Sequence, residues 1–197
     1  MRPVERTPRK EPDFGTYHYV TAASSEELRA AVRSLFADAF ASLPFGRGDR
    51  LRVLDVGCGL GFLSCVSAEF YRNARVTGID TFKHSSLKGS SLEKAEENAR
   101  ILKLSDRIVF KNDSAFTFAP TGGFDVIVSS LVFHNLGRRR FGAYSRIPSW
   151  TRPRAFVILG DFSGEQDVDR LSELFRIVRK IEPDGVRGYT LLVMTNG

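Results

Sequence analysis

The sequence has few of the residues that build disulfide frameworks and zinc sites. It contains two cysteines, Cys58 and Cys65, and three histidines among its 197 residues. Both cysteines fall in one glycine-rich segment and the helix predicted after it, and the chain has no Cys-x-x-Cys pair or Cys/His cluster. We therefore expect neither a structural disulfide nor a bound metal.

Long apolar runs are also missing. Glycine or charge interrupts every apolar stretch before it reaches the roughly 20 residues that a membrane-spanning helix needs. The first 12 residues are rich in charge and proline, unlike the apolar segment of a secretory signal. These features predict a cytoplasmic protein that is not bound to a membrane.

The composition is that of a globular domain. Hydrophobic residues make up 42% and charged residues 26% of the chain, which excludes the disordered and fibrous classes. We predict a basic N-terminal tail and possible lid over residues 1–20 and a single domain over residues 21–197. The net charge of +6 includes a basic cluster in the tail, which predicts a solvated arm or, alternatively, a contact with nucleic acid. The cluster consists of Arg2, Arg6, Arg9 and Lys10.

Strand-like and helix-like patterns alternate along the chain. Apolar spacing predicts helices over residues 24–43, 63–70, 92–102, 136–147 and 168–175. Runs of β-prone residues predict strands over 51–56, 75–79, 108–110, 124–129 and 155–159. Ser24 and Ser25 are candidates for the cap of the first helix. Strands that alternate with helices predict a parallel sheet with right-handed crossovers.

The C-terminal end breaks this alternation. Residues 176–181 and 189–194 are β-prone, and the turn-forming sequence Pro-Asp-Gly lies between them. We predict a terminal antiparallel hairpin from these segments. The apolar spacing from Phe175 through Val178 to Ile181 also fits a continuing helix, which stays open as an alternative.

A glycine-rich loop joins the first predicted strand to the helix after it. Its residues are Gly57, Cys58, Gly59, Leu60 and Gly61. Glycines at such a turn let the backbone approach a ligand closely. Phe62 or Ser64 occupies the place of the third glycine of a dinucleotide fingerprint, and no Gly-Lys-Ser/Thr ends the loop as in a P-loop. The loop therefore predicts a nucleotide-like ligand other than NAD or ATP.

Acidic residues stand at or next to the ends of three predicted strands, at Asp55, Asp80 and Asp113. Asp55 lies just before the glycine loop, where it would repel a pyrophosphate but attract the ammonium and sulfonium groups of S-adenosylmethionine. We expect Asp80 to accept hydrogen bonds from the ribose hydroxyls. We expect Asp113 to accept one from the adenine amino group while the Ser114 backbone contacts a ring nitrogen. The competing interpretation is that each acid only caps a helix or a turn.

Other residues complete the predicted cofactor site. Phe82 is expected to pack on the adenine face, with a purely structural role as the alternative. Thr81 and Ser129 are assigned to the same site. The cofactor's carboxylate can use the N-terminus of the helix that begins near Leu60.

Four segments in order, DVGCGLG, GID, IVFKND and FDVIVSS, resemble the successive motifs of class I S-adenosylmethionine-dependent methyltransferases. The resemblance covers the chain from about residue 50 to its last residue. It implies an α/β fold, a Rossmann-like three-layer αβα sandwich whose seven-stranded, mostly parallel sheet has the order 3-2-1-4-5-7-6 with the last strand antiparallel. It also implies S-adenosylmethionine as cofactor and S-adenosylhomocysteine as product.

The segment after the fourth strand bears on the methyl acceptor. It reads Ser-Ser-Leu-Val, not the Asn/Asp-Pro-Pro-aromatic motif of enzymes that methylate nucleobase amino groups. No cysteine lies near the fourth or fifth strand for the covalent route to cytosine C5. The wider sequence FDVIVSSLVFHNL resembles small-molecule methyltransferases of the quinone and sterol type. We therefore predict a small-molecule acceptor, with residues 129–135 lining its side of the site.

His134 is the candidate general base in this segment. Histidine exchanges a proton near neutral pH and can take one from a hydroxyl, an amine or an acidic carbon during transfer. The alternative is a histidine that only bonds the backbone at a helix start. His18 and His84 have no visible partner in the sequence and receive no role.

Three further segments are candidates for the acceptor side. Tyr17 and Tyr19 form an aromatic lid or, alternatively, pack against the core. The polar stretch 81–91 is longer than a usual strand-to-helix connection and is a candidate acceptor loop. Arg138, Arg139 and Arg140 attract an anionic group or are simply solvated.

Two other functions remain open on the sequence. The acceptor can be a protein side chain or RNA, which the basic tail and the positive net charge favour. The chain can also be a non-catalytic protein that binds S-adenosylmethionine.

Overall fold

The computed structural model describes residues 10–197, in which strands and helices alternate. The strands are β1 (Arg52–Val56), β2 (Arg75–Asp80), β3 (Ile108–Asn112), β4 (Phe124–Ser130), β5 (Thr151–Asp161), β6 (Arg176–Ile181) and β7 (Thr190–Thr195). The α-helices are α1 (Ala22–Ala41), α2 (Phe62–Phe70), α3 (Leu92–Ile101), α4 (Arg140–Tyr144) and α5 (Glu165–Ser172). Two 3₁₀ segments, Phe133–Arg139 and Ile147–Trp150, flank α4.

The seven strands form one sheet in the order β3-β2-β1-β4-β5-β7-β6. Neighbouring strands from β3 to β5 are parallel, and β7 is antiparallel to both β5 and β6. The fold predicted from the motifs is therefore confirmed, including the strand order and the terminal hairpin.

Each face of the sheet carries its own apolar core. Successive residues of β7 alternate between the two, with Leu191 and Val193 in one core and Leu192 and Met194 in the other. Helices α1, α2 and α3 cover the first core, while α4, α5 and the 3₁₀ segments cover the second. A central sheet buried on both faces explains the continuous apolar runs of its strands.

The prediction of one continuous helix over residues 136–147 is wrong, and only Arg140–Tyr144 within this range is α-helical. The chain instead forms the 3₁₀ segment Phe133–Arg139 and then the short α4. Gly137 has φ 54° and ψ −140°, which no helix residue can adopt, so the helical turns stop and restart around it.

The penultimate strand is confirmed, and the alternative of a continuing helix is wrong. β6 pairs with β7, and their register shifts between Ile177 and Arg179. This bulge interrupts the two-residue alternation of the strand, which is why its apolar spacing resembles that of a helix.

Other boundaries differ by a few residues. Thr21, not Ser24 or Ser25, caps α1, because its hydroxyl accepts a hydrogen bond from the Ser24 amide at 3.1 Å. β5 begins earlier than predicted. Its first four residues are polar or exposed, so the apolar pattern of the sequence did not reveal them. α5 also begins earlier, behind Gly164 and with Asp167 in its first turn.

The segment before α1 packs on the rest of the domain. Lys10 pairs with Glu97 at 2.7 Å, Phe14 is buried, and Tyr17 forms an antiparallel bridge with Leu87. The tail residues Arg2, Arg6 and Arg9 lie outside the described residues. Between residues 10 and 197 we find no helix with the length and apolar character to cross a bilayer.

Candidate active site

The C-terminal ends of three neighbouring strands bring the predicted acids together. Asp55 lies on β1, Asp80 ends β2, and Asp113 directly follows β3. The amides of Gly57 and Cys58 donate to the Ile79 carbonyl, at 2.8 and 3.0 Å. These bonds hold the start of the glycine loop against β2 and thus place the three acids around one opening.

That opening is a cavity of about 740 Å³, within the usual size of a small-molecule site. The predicted site residues that line it are Asp55, Gly57, Cys58, Gly59, Asp80, Thr81, Asp113, Ser114 and His134. Gly61, Phe82 and Ser129 do not line it. Ser130, the neighbour of Ser129, does.

The three predicted site residues outside the lining make structural contacts next to the cavity. Gly61 caps α2 with φ 84°, and a Cβ there would lie 2.7 Å from the Phe110 ring. Ser129 is buried and donates its hydroxyl to the Val56 carbonyl at 2.7 Å. Phe82 packs against the core on the α1–α3 side.

Gly57 is the tightest position of the glycine loop. Its φ is +74°, and a Cβ would lie 2.3 Å from a Val132 methyl group. A side chain is excluded here by both the backbone angle and the neighbour, so the loop backbone itself forms the cavity wall. Burial raises the pKa of the adjacent Cys58 thiol, which keeps it neutral and unsuited to nucleophilic attack.

Asp80 links β2 to the glycine loop. One carboxylate oxygen accepts from the Gly59 amide at 2.9 Å and the other accepts from the Phe82 amide at 2.7 Å. A carboxylate has about four lone-pair sites. Two therefore remain for a ligand in the cavity, which suits a pair of vicinal hydroxyls.

Asp55 is almost completely buried, at 1% exposure, and accepts a hydrogen bond from the Ser64 hydroxyl at 2.6 Å. Burial raises its pKa to about 7, against the lowering effect of Ser64, and the charge of Asp80 raises it further. A cation at this wall of the cavity would favour the ionised carboxylate.

Asp113 holds the turn after β3. Its Oδ1 accepts from the Ser114 amide at 2.8 Å and from the Thr117 hydroxyl at 2.6 Å. The Ser114 amide is thus already engaged, and contact with a ring nitrogen requires that it share or exchange this bond. No hydrogen bond to Asp113 Oδ2 is found within residues 10–197, so this oxygen can accept an amino group.

The sequence did not reveal Asp161, the last residue of β5. It is buried, with 3% exposure, and its carboxylate contacts the Nδ1 atom of His134, which lines the cavity. Aspartates at strand ends are common. Only the pairing of β5 with β4 in the folded sheet places Asp161 next to His134. His134 and Asp161 are 27 residues apart and match no sequence motif, so their contact could not be predicted from the sequence.

Residues of the three predicted acceptor segments line the same cavity. Tyr17, His18 and Tyr19 line it, and the His18 amide donates to the Ser86 carbonyl at 2.9 Å, which joins this segment to the loop after β2. Arg139 also lines the cavity, 4.5 Å above the Phe116 ring. Arg140 instead pairs with Asp167.

Comparison with known proteins agrees with this geometry. The family described as "Methyltransferase domain" matches residues 48–184, which includes every strand from β1 to β6. The chain belongs to this methyltransferase domain family. The membership in a methyltransferase family that the four sequence motifs predicted is thereby confirmed.

Two curated proteins are similar to the methyltransferase domain in sequence. Trans-aconitate 2-methyltransferase of Streptomyces avermitilis is 32% identical over 116 residues, which are 59% of this chain and 39% of that protein. Malonyl-[acyl-carrier protein] O-methyltransferase of Geobacter sulfurreducens is 29% identical over 142 residues, 71% of this chain and 50% of that protein. The chain spans half or less of the length of these relatives.

Solved structures show the same fold. The magnesium protoporphyrin IX methyltransferase of Synechocystis, with bound S-adenosylmethionine, has a TM-score of 0.70 at 19% identity, over 93% of this chain and 86% of that one. The N-methyltransferase NodS of Bradyrhizobium japonicum, in complex with S-adenosylhomocysteine, has a TM-score of 0.63 at 16% identity, over 87% of both chains.

Proposed function

We propose that this domain transfers a methyl group from S-adenosylmethionine to a small molecule. The observation that carries the proposal is the convergence of Asp55, Asp80 and Asp113 with the glycine loop around one cavity. An acidic wall with a closely approaching backbone suits a ligand that is both a nucleoside and a cation, and it disfavours a pyrophosphate.

The residues present fit this cofactor. Gly57 provides a wall without a Cβ, Asp55 provides a carboxylate for the cationic groups, and Asp80 retains lone pairs for the ribose hydroxyls. Asp113 Oδ2 is available for the adenine amino group. The cofactor supplies a methyl group on a sulfonium, a strong electrophile, so the protein mainly aligns the acceptor and excludes water.

Two facts support a small-molecule acceptor. The cavity has a volume of about 740 Å³, which favours a compact substrate. The relatives carry names that specify trans-aconitate and malonyl-[acyl-carrier protein] as substrates. RNA or a protein side chain is the alternative acceptor, and the net charge of +6 supports it. The cytoplasmic location stays a prediction from the sequence.

Calorimetry with S-adenosylmethionine and S-adenosylhomocysteine tests the cofactor. We expect binding of both, no binding of NAD or ATP, and a strong loss of affinity in Asp80→Ala. No heat with either nucleoside, or equal affinity in the variant, would refute the proposal. The acceptor class is tested by incubation with methyl-labelled cofactor and a cell extract. Label in the macromolecular fraction that nuclease or protease converts to small fragments identifies a macromolecular acceptor.

A further inference from the structure

The two carboxylate oxygens of Asp161 have separate partners. Oδ2 accepts from the main-chain amides of Val132, Phe133 and His134, at 3.2, 2.7 and 3.3 Å. Oδ1 accepts from the Phe162 amide at 2.8 Å and contacts Nδ1 of His134. Asp161 thus fixes both the backbone turn that carries His134 and the orientation of its ring.

This arrangement selects one tautomer of the histidine. A carboxylate surrounded by main-chain N–H groups acts as an acceptor only. Nδ1 of neutral His134 must therefore donate to Asp161, which leaves Nε2 without a proton and able to accept one. The ring lines the cavity and packs edge-on against Phe162, with ring centroids 5.3 Å apart, which restricts its rotation.

We propose that Asp161 positions His134 as the base for an acceptor that has to lose a proton, such as a hydroxyl or an amine. This acceptor differs from the preformed carboxylates of trans-aconitate and of the malonyl group that the names of the two relatives specify. This inference rests on the proposed methyl transfer. In the step, the acceptor oxygen or nitrogen bonds to the methyl carbon as the carbon–sulfur bond breaks. The electron pair of that bond passes to sulfur, and the acceptor proton passes to Nε2 of His134.

The charges of the cavity agree with a protic acceptor. An acceptor that is already a carboxylate needs no base and is usually held by a cationic side chain. In the part of the lining contributed by residues 10–197, Arg139 is the only arginine or lysine, and its guanidinium stacks on Phe116, beyond the β3 end. Beside His134 the lining is aromatic or neutral, with Phe162, Leu131 and Asn135.

Nitrogen-15 NMR of the histidine rings tests the positioning without any acceptor. The chain has three histidines, His18, His84 and His134, so the signal of His134 is assigned by its loss in His134→Gln. We expect the Nδ1–H tautomer in the wild-type protein above neutral pH. In Asp161→Asn the amide oxygen keeps the three main-chain bonds that Oδ2 accepts, while the amide nitrogen faces Nδ1 and the bond from the Phe162 amide is lost. The tautomer should then change to Nε2–H. The Nε2–H form in the wild type, or an unchanged ring in Asp161→Asn, would overturn the proposal.

Asp167→Asn is the matched control. Asp167 is also a buried aspartate that caps a helix, accepting from the Gly164 amide at 3.0 Å, but it lies outside the cavity lining. We expect the His134 tautomer to be unchanged in this variant. A change in both variants would show a general effect of lost capping and would contradict the specific role of Asp161.

The chemical stability of the product tests the acceptor class. After transfer of labelled methyl groups to extract components, mild alkali releases label from methyl esters as methanol but leaves methyl ethers and N-methyl groups intact. We expect alkali-stable label, reduced at least tenfold in Asp161→Asn with cofactor affinity within about twofold of the wild type. Alkali-labile label would overturn the acceptor class. If the wild-type protein does not bind S-adenosylmethionine, or transfers label to no fraction, the methyltransferase function itself is refuted.

Discussion

The Asp80 carboxylate accepts a hydrogen bond from the Gly59 amide at 2.9 Å and so connects the end of β2 to the glycine loop after β1. The same carboxylate holds the Phe82 amide, at 2.7 Å, and faces the cavity. The geometry of the loop therefore depends on Asp80, and we expect ligand binding to depend on it as well.

Asp80→Ala should weaken S-adenosylmethionine binding about 10- to 100-fold. The change removes the proposed acceptor for the ribose hydroxyls and the bond to Gly59, and hydrogen bonds to a charged group contribute about 1.5–3 kcal/mol. Titration calorimetry measures the affinity. Asp125→Asn is the control, because Asp125 accepts from the Arg52 amide at 2.7 Å near the opposite ends of the strands. Similar losses in both variants would show a general effect on the sheet.

Cofactor affinity should rise with pH through about 7. The raised pKa of Asp55, about 7, means that its carboxyl group is largely protonated below this pH and attracts a cation weakly. A bound sulfonium and ammonium favour the ionised form, so binding near pH 6.5 should release a proton. Calorimetry in buffers of different ionisation enthalpy counts this proton. A pH-independent affinity between pH 5.5 and 7.5 would contradict the assignment of Asp55.

Ser64→Ala should move this pH dependence upward. The Ser64 hydroxyl donates to Asp55 at 2.6 Å and lowers the pKa of that carboxyl group. Without the donor, the pKa rises above about 7, and the affinity loss begins at a higher pH. Ser67→Ala serves as the control, because the buried Ser67 hydroxyl donates to the Leu63 carbonyl on the same helix.

Asp55→Asn should stabilise the fold at pH 8 while it abolishes cofactor binding. The folded-state pKa of Asp55, about 7, lies above its usual value of 3.8, so the folded state binds the proton more tightly than the unfolded chain. The contribution of this group to stability is therefore lost as pH rises from about 4 to about 7. The gain is at most about 4 kcal/mol, since each pKa unit corresponds to about 1.4 kcal/mol. Urea unfolding at pH 5 and pH 8 measures it, and a gain that is larger at pH 5 would contradict the prediction.

Gly57→Ala should destabilise the domain more than Gly185→Ala. Both glycines have positive φ, +74° and +86°, so both substitutions carry a backbone cost of about 1–2 kcal/mol. Only at Gly57 does the new Cβ meet a neighbour, Val132, at 2.3 Å, whereas nothing lies within 4 Å at Gly185. The difference between their unfolding free energies isolates the steric term. Equal effects would mean that Val132 moves aside freely.

The motifs predicted that the three acids surround one opening, because each acid stands at or next to the end of its own strand. Asp55 and Gly57 are separated by one residue, and Asp80 and Asp113 come directly at strand ends, which meet at one edge of any parallel sheet. Strand periodicity therefore located them. The weak helical pattern around Gly137 gave a wrong prediction of one continuous helix, because this glycine has non-helical backbone angles and divides the segment.

The sequence by itself determined the strand order, through its resemblance to a known family, and the positions of the acids around the glycine loop. Only the tertiary structure placed Asp161 beneath His134, separated Ser130 in the lining from the buried Ser129, and distinguished the cavity residue Arg139 from the paired Arg140. Local patterns report which face of an element is buried. They carry no information on which side chain of a distant element packs beneath that face, and the orientation of the candidate base depends on that packing.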